Sequence, residues 1–189
     1  MVALKIEQVG DFMNKFLLRS TFDGFDFVRG DVTGFAVFTI DGRLQKDFYS
    51  SDEQEEIGDR VYVPWTEMKP RVCALIRGKN TPLSMHFVMR LSDRHTQALL
   101  QQENLQQLED VVRPQPGAGP QALLQQENLQ QLQDKLEGLY LNIRFARGEL
   151  ECVTGVSFRT FVADRSLEFL WDRTAARFLS QNGIASEVK

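Results

Sequence analysis

Hydrophobic positions along the chain switch between two periods, and the switches mark the elements. Ala3–Ile6 is predicted as a short strand. Over Asp11–Arg19 the spacing turns helical, with Val9, Phe12, Met13 and Phe16 on one side. Three strand-like runs follow. Phe25–Val28 leads to a predicted turn at Gly30-Asp31, and Val32–Ile40 alternates and is rich in β-branched and aromatic residues. Asp41-Gly42 reads as a two-residue hairpin turn, because a type I′ turn needs positive φ at both central positions. Arg43–Tyr49 is then the returning strand. Ser50–Asp59 carries Asp52, Glu53, Glu55 and Glu56 and is predicted as a solvated loop. Tyr62–Val63 adds a short strand.

A second helix is predicted over Trp65–Arg77, with Trp65, Met68, Val72, Leu75 and Ile76 on one face. Pro70 is assigned to its first turn, where backbone N–H groups lack partners, and Gly78 closes it. Leu83, Met85, Phe87 and Met89 alternate with Ser84, His86, Val88 and Arg90, the pattern of a half-buried antiparallel strand. The same alternation returns at Leu139, Leu141, Ile143 and Phe145. Arg147-Gly148 reads as a tight turn. Glu149–Thr154 and Val156–Val162 are predicted strands, with a bulge at Gly155. The last helix, Arg165–Gln181, takes Asp164 as its N-cap. Its stripe is Leu167, Leu170, Trp171, Thr174, Ala175 and Phe178, and Asn182-Gly183 stops it.

One stretch breaks this order. Gln97–Leu108 and Gln121–Leu132 are the same twelve residues, 24 positions apart. Identity over that length implies duplication of the encoding segment. Each copy is made of strong helix formers. Leu100, Leu105 and Leu108 line one face of the first; Leu124, Leu129, Leu132 and Leu136 do so in the second. Arg113–Pro120, rich in proline and glycine, cannot continue a helix, so an αα-hairpin is expected. It reads either as an arm for a protein partner or a second copy, or as a tolerated insertion in a surface connection.

Length and composition add the frame. The 189 residues suit a single α+β domain over 1–189, an antiparallel sheet with helices packed on one face and a C-terminal helix. Residues 92–137 are its duplicated Gln/Leu-rich insertion. The 14 Phe, against 3 Tyr and 2 Trp, point to a dry core between sheet and helices. No run is apolar enough for a signal peptide or a bilayer span, so a cytoplasmic protein without a membrane partner is expected. Cys73 and Cys152 are expected to be buried free thiols, although a pair alone also allows a disulfide.

Chemical motifs are sparse. His86 alternates outward on its strand, His95 precedes the first repeat, and no Cys/His/carboxylate set has zinc spacing. Gly117-Ala-Gly119 has no preceding strand and no following Lys-Ser/Thr, so it is a linker rather than a phosphate loop. Arg29-Gly30-Asp31 spells an adhesion tripeptide without an export signal. The acidic loop lacks the Asp/Asn alternation and glycine of a calcium loop. No cofactor and no metal are expected. An enzyme would need a pocket gathering Arg144, Arg159, His86 and a carboxylate.

Charge is the remaining signal. The formal net charge of −4 gives no whole-chain signature of a nucleic-acid binder, yet only the contacting surface matters. Lys15 and Arg19 on the first helix face Asp11; Lys69, Arg71, Arg77 and Lys79 on the second face Glu67. That excess reads either as solvated helix faces or as a track for phosphates.

The order of elements between Ala3 and Val162 is similar to one domain of a DNA sliding clamp. Leu4–Tyr49 resembles such a domain's opening strand, first helix and hairpin; Trp65–Arg90 resembles its second helix and following strand. In that family, paired helices carry basic residues toward DNA, and the resemblance gives that role to Lys15, Arg19, Lys69, Arg71, Arg77 and Lys79. A clamp ring needs several such domains, whereas this chain has one. The phrases Ala3-Leu-Lys-Ile6, Phe38-Thr-Ile-Asp-Gly-Arg43, Gly78-Lys-Asn-Thr-Pro-Leu83 and Leu141-Asn-Ile-Arg144 resemble an uncharacterised bacterial family of unknown function. The expectation is a non-catalytic binding or assembly module.

Overall fold

The computed structural model describes residues 1–76, 80–112 and 134–189, and of 103–112 the backbone alone. In chain order the elements are β1 (Ala3–Ile6), α1 (Val9–Leu18), β2 (Phe25–Thr33), β3 (Val37–Asp41), a 3-10 turn (Lys46–Phe48) and α2 (Ser51–Ile57). There follow β4 (Val63–Pro64), α3 (Trp65–Ile76), β5 (Ser84–Leu91) and α4 (Asp93–Val112). The last are β6 (Leu136–Ala146), β7 (Glu149–Phe158), α5 (Ser166–Gln181) and β8 (Ser186–Val188). The eight strands form one antiparallel sheet in the order β3-β2-β5-β6-β7-β1-β8, with β4 also paired to β2. This is the expected α+β architecture. The first repeat copy lies within α4; the second copy and the expected hairpin partner lie outside the described residues.

One face of the sheet holds the core. Leu4 and Ile6, Met85, Phe87 and Met89, and Leu139, Leu141 and Ile143 point into it. Phe12 and Phe16 of α1, Trp65 and Val72 of α3, and Trp171 and Ala175 of α5 close it from above. Each such buried side chain stabilises the fold by roughly 1.5–3 kcal/mol. Its centre is aromatic: Phe16 stacks on Trp65 at 4.4 Å between ring centroids, and the indole N–H of Trp65 donates to Phe16 O at 3.1 Å.

Several boundaries differ from the sequence reading, each for a physical reason. β2 runs unbroken through Gly30, where a turn was expected. A bulge at Val28 shifts its alternation, so Phe25 and Phe27 point inward before it and Gly30 and Val32 after it. Gly30 is there because a Cβ would lie 2.5 Å from the Phe87 ring and 2.9 Å from that of Phe27. The β2–β3 hairpin turns instead at Gly34–Ala36. Gly42 is no hairpin turn. Its N–H donates to Val28 O, its own carbonyl accepts from Val63 N, and a Cβ would sit 1.9 Å from Phe27 O. Close backbone approach, not positive φ, requires glycine there. Arg43–Tyr49 is not a strand: Arg43 makes one bridge to Tyr62 before the 3-10 turn.

Ser50–Asp59 is not a loop. It holds α2, opened by a capping box in which Ser50 Oγ accepts from Glu53 N while the Glu53 carboxylate accepts from Ser50 N. Pro70 falls in the second turn of α3, because that helix already starts at Trp65. Leu83 precedes β5 and is exposed. β7 passes Gly155 without a bulge, while β6 bulges between Leu136 and Gly138. β8, not anticipated, pairs with β1.

Other ends follow the sequence closely. Arg147 and Gly148 have φ of 53° and 82°, the pair of positive values a type I′ turn demands. Asp164 Oδ1 accepts from Ser166 N at 2.7 Å, although Arg165 is the capping position itself. After α5, Gly183 N donates to Ser180 O and Ile184 N to Leu179 O, with Gly183 at φ +65°. These are the two bonds of a Schellman stop.

Arg90 ties three elements together at the far end of β5. Its Nη2 donates to Asp93 Oδ1 at 2.5 Å and to Glu137 O at 3.0 Å, and its Nη1 lies 3.7 Å from Asp26 Oδ2. It thus joins β2 to the first residue of α4 and the second of β6. Gly138 leaves room for it, since a Cβ there would come within 2.7 Å of Arg90 Nε.

Candidate functional site

The predicted basic track is distributed as follows. Lys15 Nζ donates to Asp11 Oδ2 at 2.6 Å and to Gly183 O at 2.9 Å, fastening α1 to the stop of α5. Lys69 Nζ donates to Asp23 Oδ1 at 2.5 Å and to Arg19 O at 2.9 Å, fastening α3 to the α1–β2 loop. Arg19 and Arg71 are exposed, Arg19 bonding Asn14 Oδ1 and Arg71 the Glu67 carbonyl. Arg77 and Lys79 lie outside the described residues. Both lysines therefore have carboxylate partners and structural duties, while the two arginines stay in solvent.

The open face of the sheet gathers part of the set an enzyme would need. Cross-strand register places Thr39, Asp31, His86, Arg144, Glu151, Lys5 and Glu187 in one row. Thr39 Oγ1 donates to Asp31 Oδ1 at 2.9 Å, which holds that carboxyl below its usual range. Burial and then the Arg144 charge push the His86 imidazole below its ordinary value, and His86 Nε2 is buried with no partner among the described residues. Arg159 is not part of this row. It lines a separate cleft of about 500 Å³ with Arg90 and Asp93. Among the described residues no group of three or more His, Cys, Asp and Glu could hold a metal ion. Cys73 and Cys152 are free, and burial pushes the Cys152 thiol up. No helix of the described residues is long and apolar enough to cross a membrane.

A larger hollow lies between α4 and α5. A cleft of about 730 Å³ opens there, within the size range of small-molecule sites. Its apolar lining is half-buried Leu91, Leu99 and Phe178 over the buried rings of Phe25 and Trp171. Phe25 packs against Trp171 at 6.5 Å and Phe178 at 5.7 Å between ring centroids. Its rim carries Ser20, Thr21, Asp23, His95, Arg177 and Gln181. The parts come from three distant stretches of chain. The α1–β2 loop is set by Lys69; the start of α4 is set by Arg90 and by Thr96 Oγ1 donating to Leu91 O at 3.2 Å. His95 is held by a 2.7 Å hydrogen bond between its Nδ1 and Ser92 Oγ. Its ring lies against Gly24, where an added Cβ would come to 3.3 Å. Nothing in the sequence pattern singled these residues out, because the floor is core-like and the rim residues are individually ordinary.

No curated protein and no solved structure matches the chain. The likeness to a clamp domain rests on element order alone. A family model does match, over residues 15–114 and 117–187, and it runs through both copies of the repeated segment. The chain belongs to that family, the family of unknown function DUF5721.

Proposed function

We propose that this protein is a non-catalytic binding module whose site is the cleft between α4 and α5. The observation that carries the reading is a cleft in which half-buried Leu91, Leu99 and Phe178 are ringed by polar groups. Such concave, mostly apolar sites with a few placed polar groups are where proteins take small ligands. Protein-observed NMR with a fragment library tests it. Binders should shift Gly24, Leu99, Trp171 and Phe178, and Ala98→Trp, which fills the mouth from the exposed side of α4, should abolish the shifts. Fragments that perturb only other surfaces would overturn the reading.

Contact with nucleic acid is the second reading, and the exposure of Arg19 and Arg71 favours it. Those two would meet phosphates, joined by Arg77 and Lys79, while Lys15 and Lys69 hold the helices in place. DNA affinity should then fall steeply with salt. Binding that is absent or indifferent to salt removes this reading.

A further inference from the structure

The geometry points to an organic anion with an apolar body as the ligand of the α4–α5 cleft. This inference rests on the cleft reading and adds the ligand's chemistry.

The floor asks for an apolar body. Trp171 has a polar handle, but its Nε1–H already donates to Tyr140 O at 2.8 Å. Trp171 and Phe25 are themselves buried, so the apolar surface a ligand meets is that of half-buried Phe178, Leu91 and Leu99. A ligand group that needed hydrogen bonds would lose its water there and gain no partner. An apolar group loses nothing and gains burial against these side chains.

The rim sets the sign of charge. Asp23 is the one carboxylate among the described lining residues, and Lys69 pairs with it at 2.5 Å. Arg177, on α5, lines the same cleft and has no carboxylate partner among the described residues. Among the described lining residues the excess charge is therefore positive. A guanidinium offers a planar fork of donors that suits carboxylate, sulfonate or phosphate oxygens. His95 lines the same cleft, and its Nδ1 is engaged by Ser92 Oγ, which leaves the other ring nitrogen for a ligand. Guanidinium and imidazole thus line one partly apolar cleft, the layout that fits a ligand with an apolar body and one charged end.

Two dyes with the same aromatic body separate the two parts of this claim. One is 8-anilinonaphthalene-1-sulfonate; the other is N-phenyl-1-naphthylamine, which lacks the sulfonate. Titration followed by dye fluorescence should give the anionic dye at least tenfold tighter binding than the neutral one. Arg177→Gln should remove that advantage and leave the neutral dye's affinity unchanged. Equal binding of the two dyes to the unaltered protein overturns the anion inference and leaves the cleft standing. Anionic-dye binding that survives Ala98→Trp places the dye elsewhere and overturns the cleft reading together with this inference.

Discussion

Asp26→Asn removes a charge that the fold holds at a disadvantage. Asp26 lies on β2, its side chain 13% exposed, facing Arg90 across 3.7 Å. Burial pushes its carboxyl up to about 6, more than the Arg90 charge pulls it down, and nearby Asp93 adds to the rise. A rise of about two units corresponds to about 3 kcal/mol against the charged form in the native state, with the Arg90 attraction already counted. The sign follows from linkage. Above pH 6 the carboxylate is charged in both states and the native state bears the penalty. Between about pH 6 and 4 the native state takes up the proton first, so the wild-type protein recovers stability from this group as pH falls. Asn mimics the neutral form throughout. Urea unfolding followed by circular dichroism should therefore find the variant more stable at pH 8, by up to about 3 kcal/mol. The gap should close by pH 4. A variant less stable than wild type at pH 8, or a gap that does not change with pH, would refute the claim that desolvation dominates at Asp26.

Gly42→Ala should leave little folded protein, because its Cβ would sit 1.9 Å from Phe27 O, whereas Gly34→Ala, with nothing within 4 Å, should keep the wild-type melting temperature within a few degrees. Thermal melts of the pair decide whether close approach or turn geometry governs Gly42. Ser50→Ala should cost about 1 kcal/mol locally by removing half of the capping box. Faster amide exchange confined to α2 would register it, and unchanged protection would count against the cap. Deleting Glu109–Leu132, one repeat period, should change the mass seen by light scattering if the repeated segment mediates self-association. An unchanged monomer would sink that idea.

The readable parts of the fold were those whose cause is local. Met85–Met89 and Leu139–Phe145 declare their inward faces by alternation, and Arg147-Gly148 and Asn182-Gly183 by backbone demand. β2 was misread because one extra residue, Val28, inverts the alternation halfway, so that Gly30 looked like a turn rather than a gap for two rings. At Gly42 the residue type was informative, but two physical reasons call for glycine and the sequence does not distinguish them. Ser50 and Glu53 did spell a capping box. The density of acidic residues around them suited a solvated loop equally well. The cleft was not legible at all. Its floor residues share the pattern of every core residue, and its charge balance depends on Lys69 reaching Asp23 across 46 positions of chain.

The Arg90 junction has a consequence for where the repeated segment falls. One guanidinium bonds both Asp93, just after the chain leaves β5, and Glu137, just after it enters β6. Pairing of β5 with β6 begins at Arg90 and Tyr140, on the sheet side of that anchor. The 24-position repeat lies beyond that anchor and outside the paired positions of β5 and β6. Sheet register is thus fixed on one side of the anchor, whereas the cleft draws His95, Ala98 and Leu99 from the other.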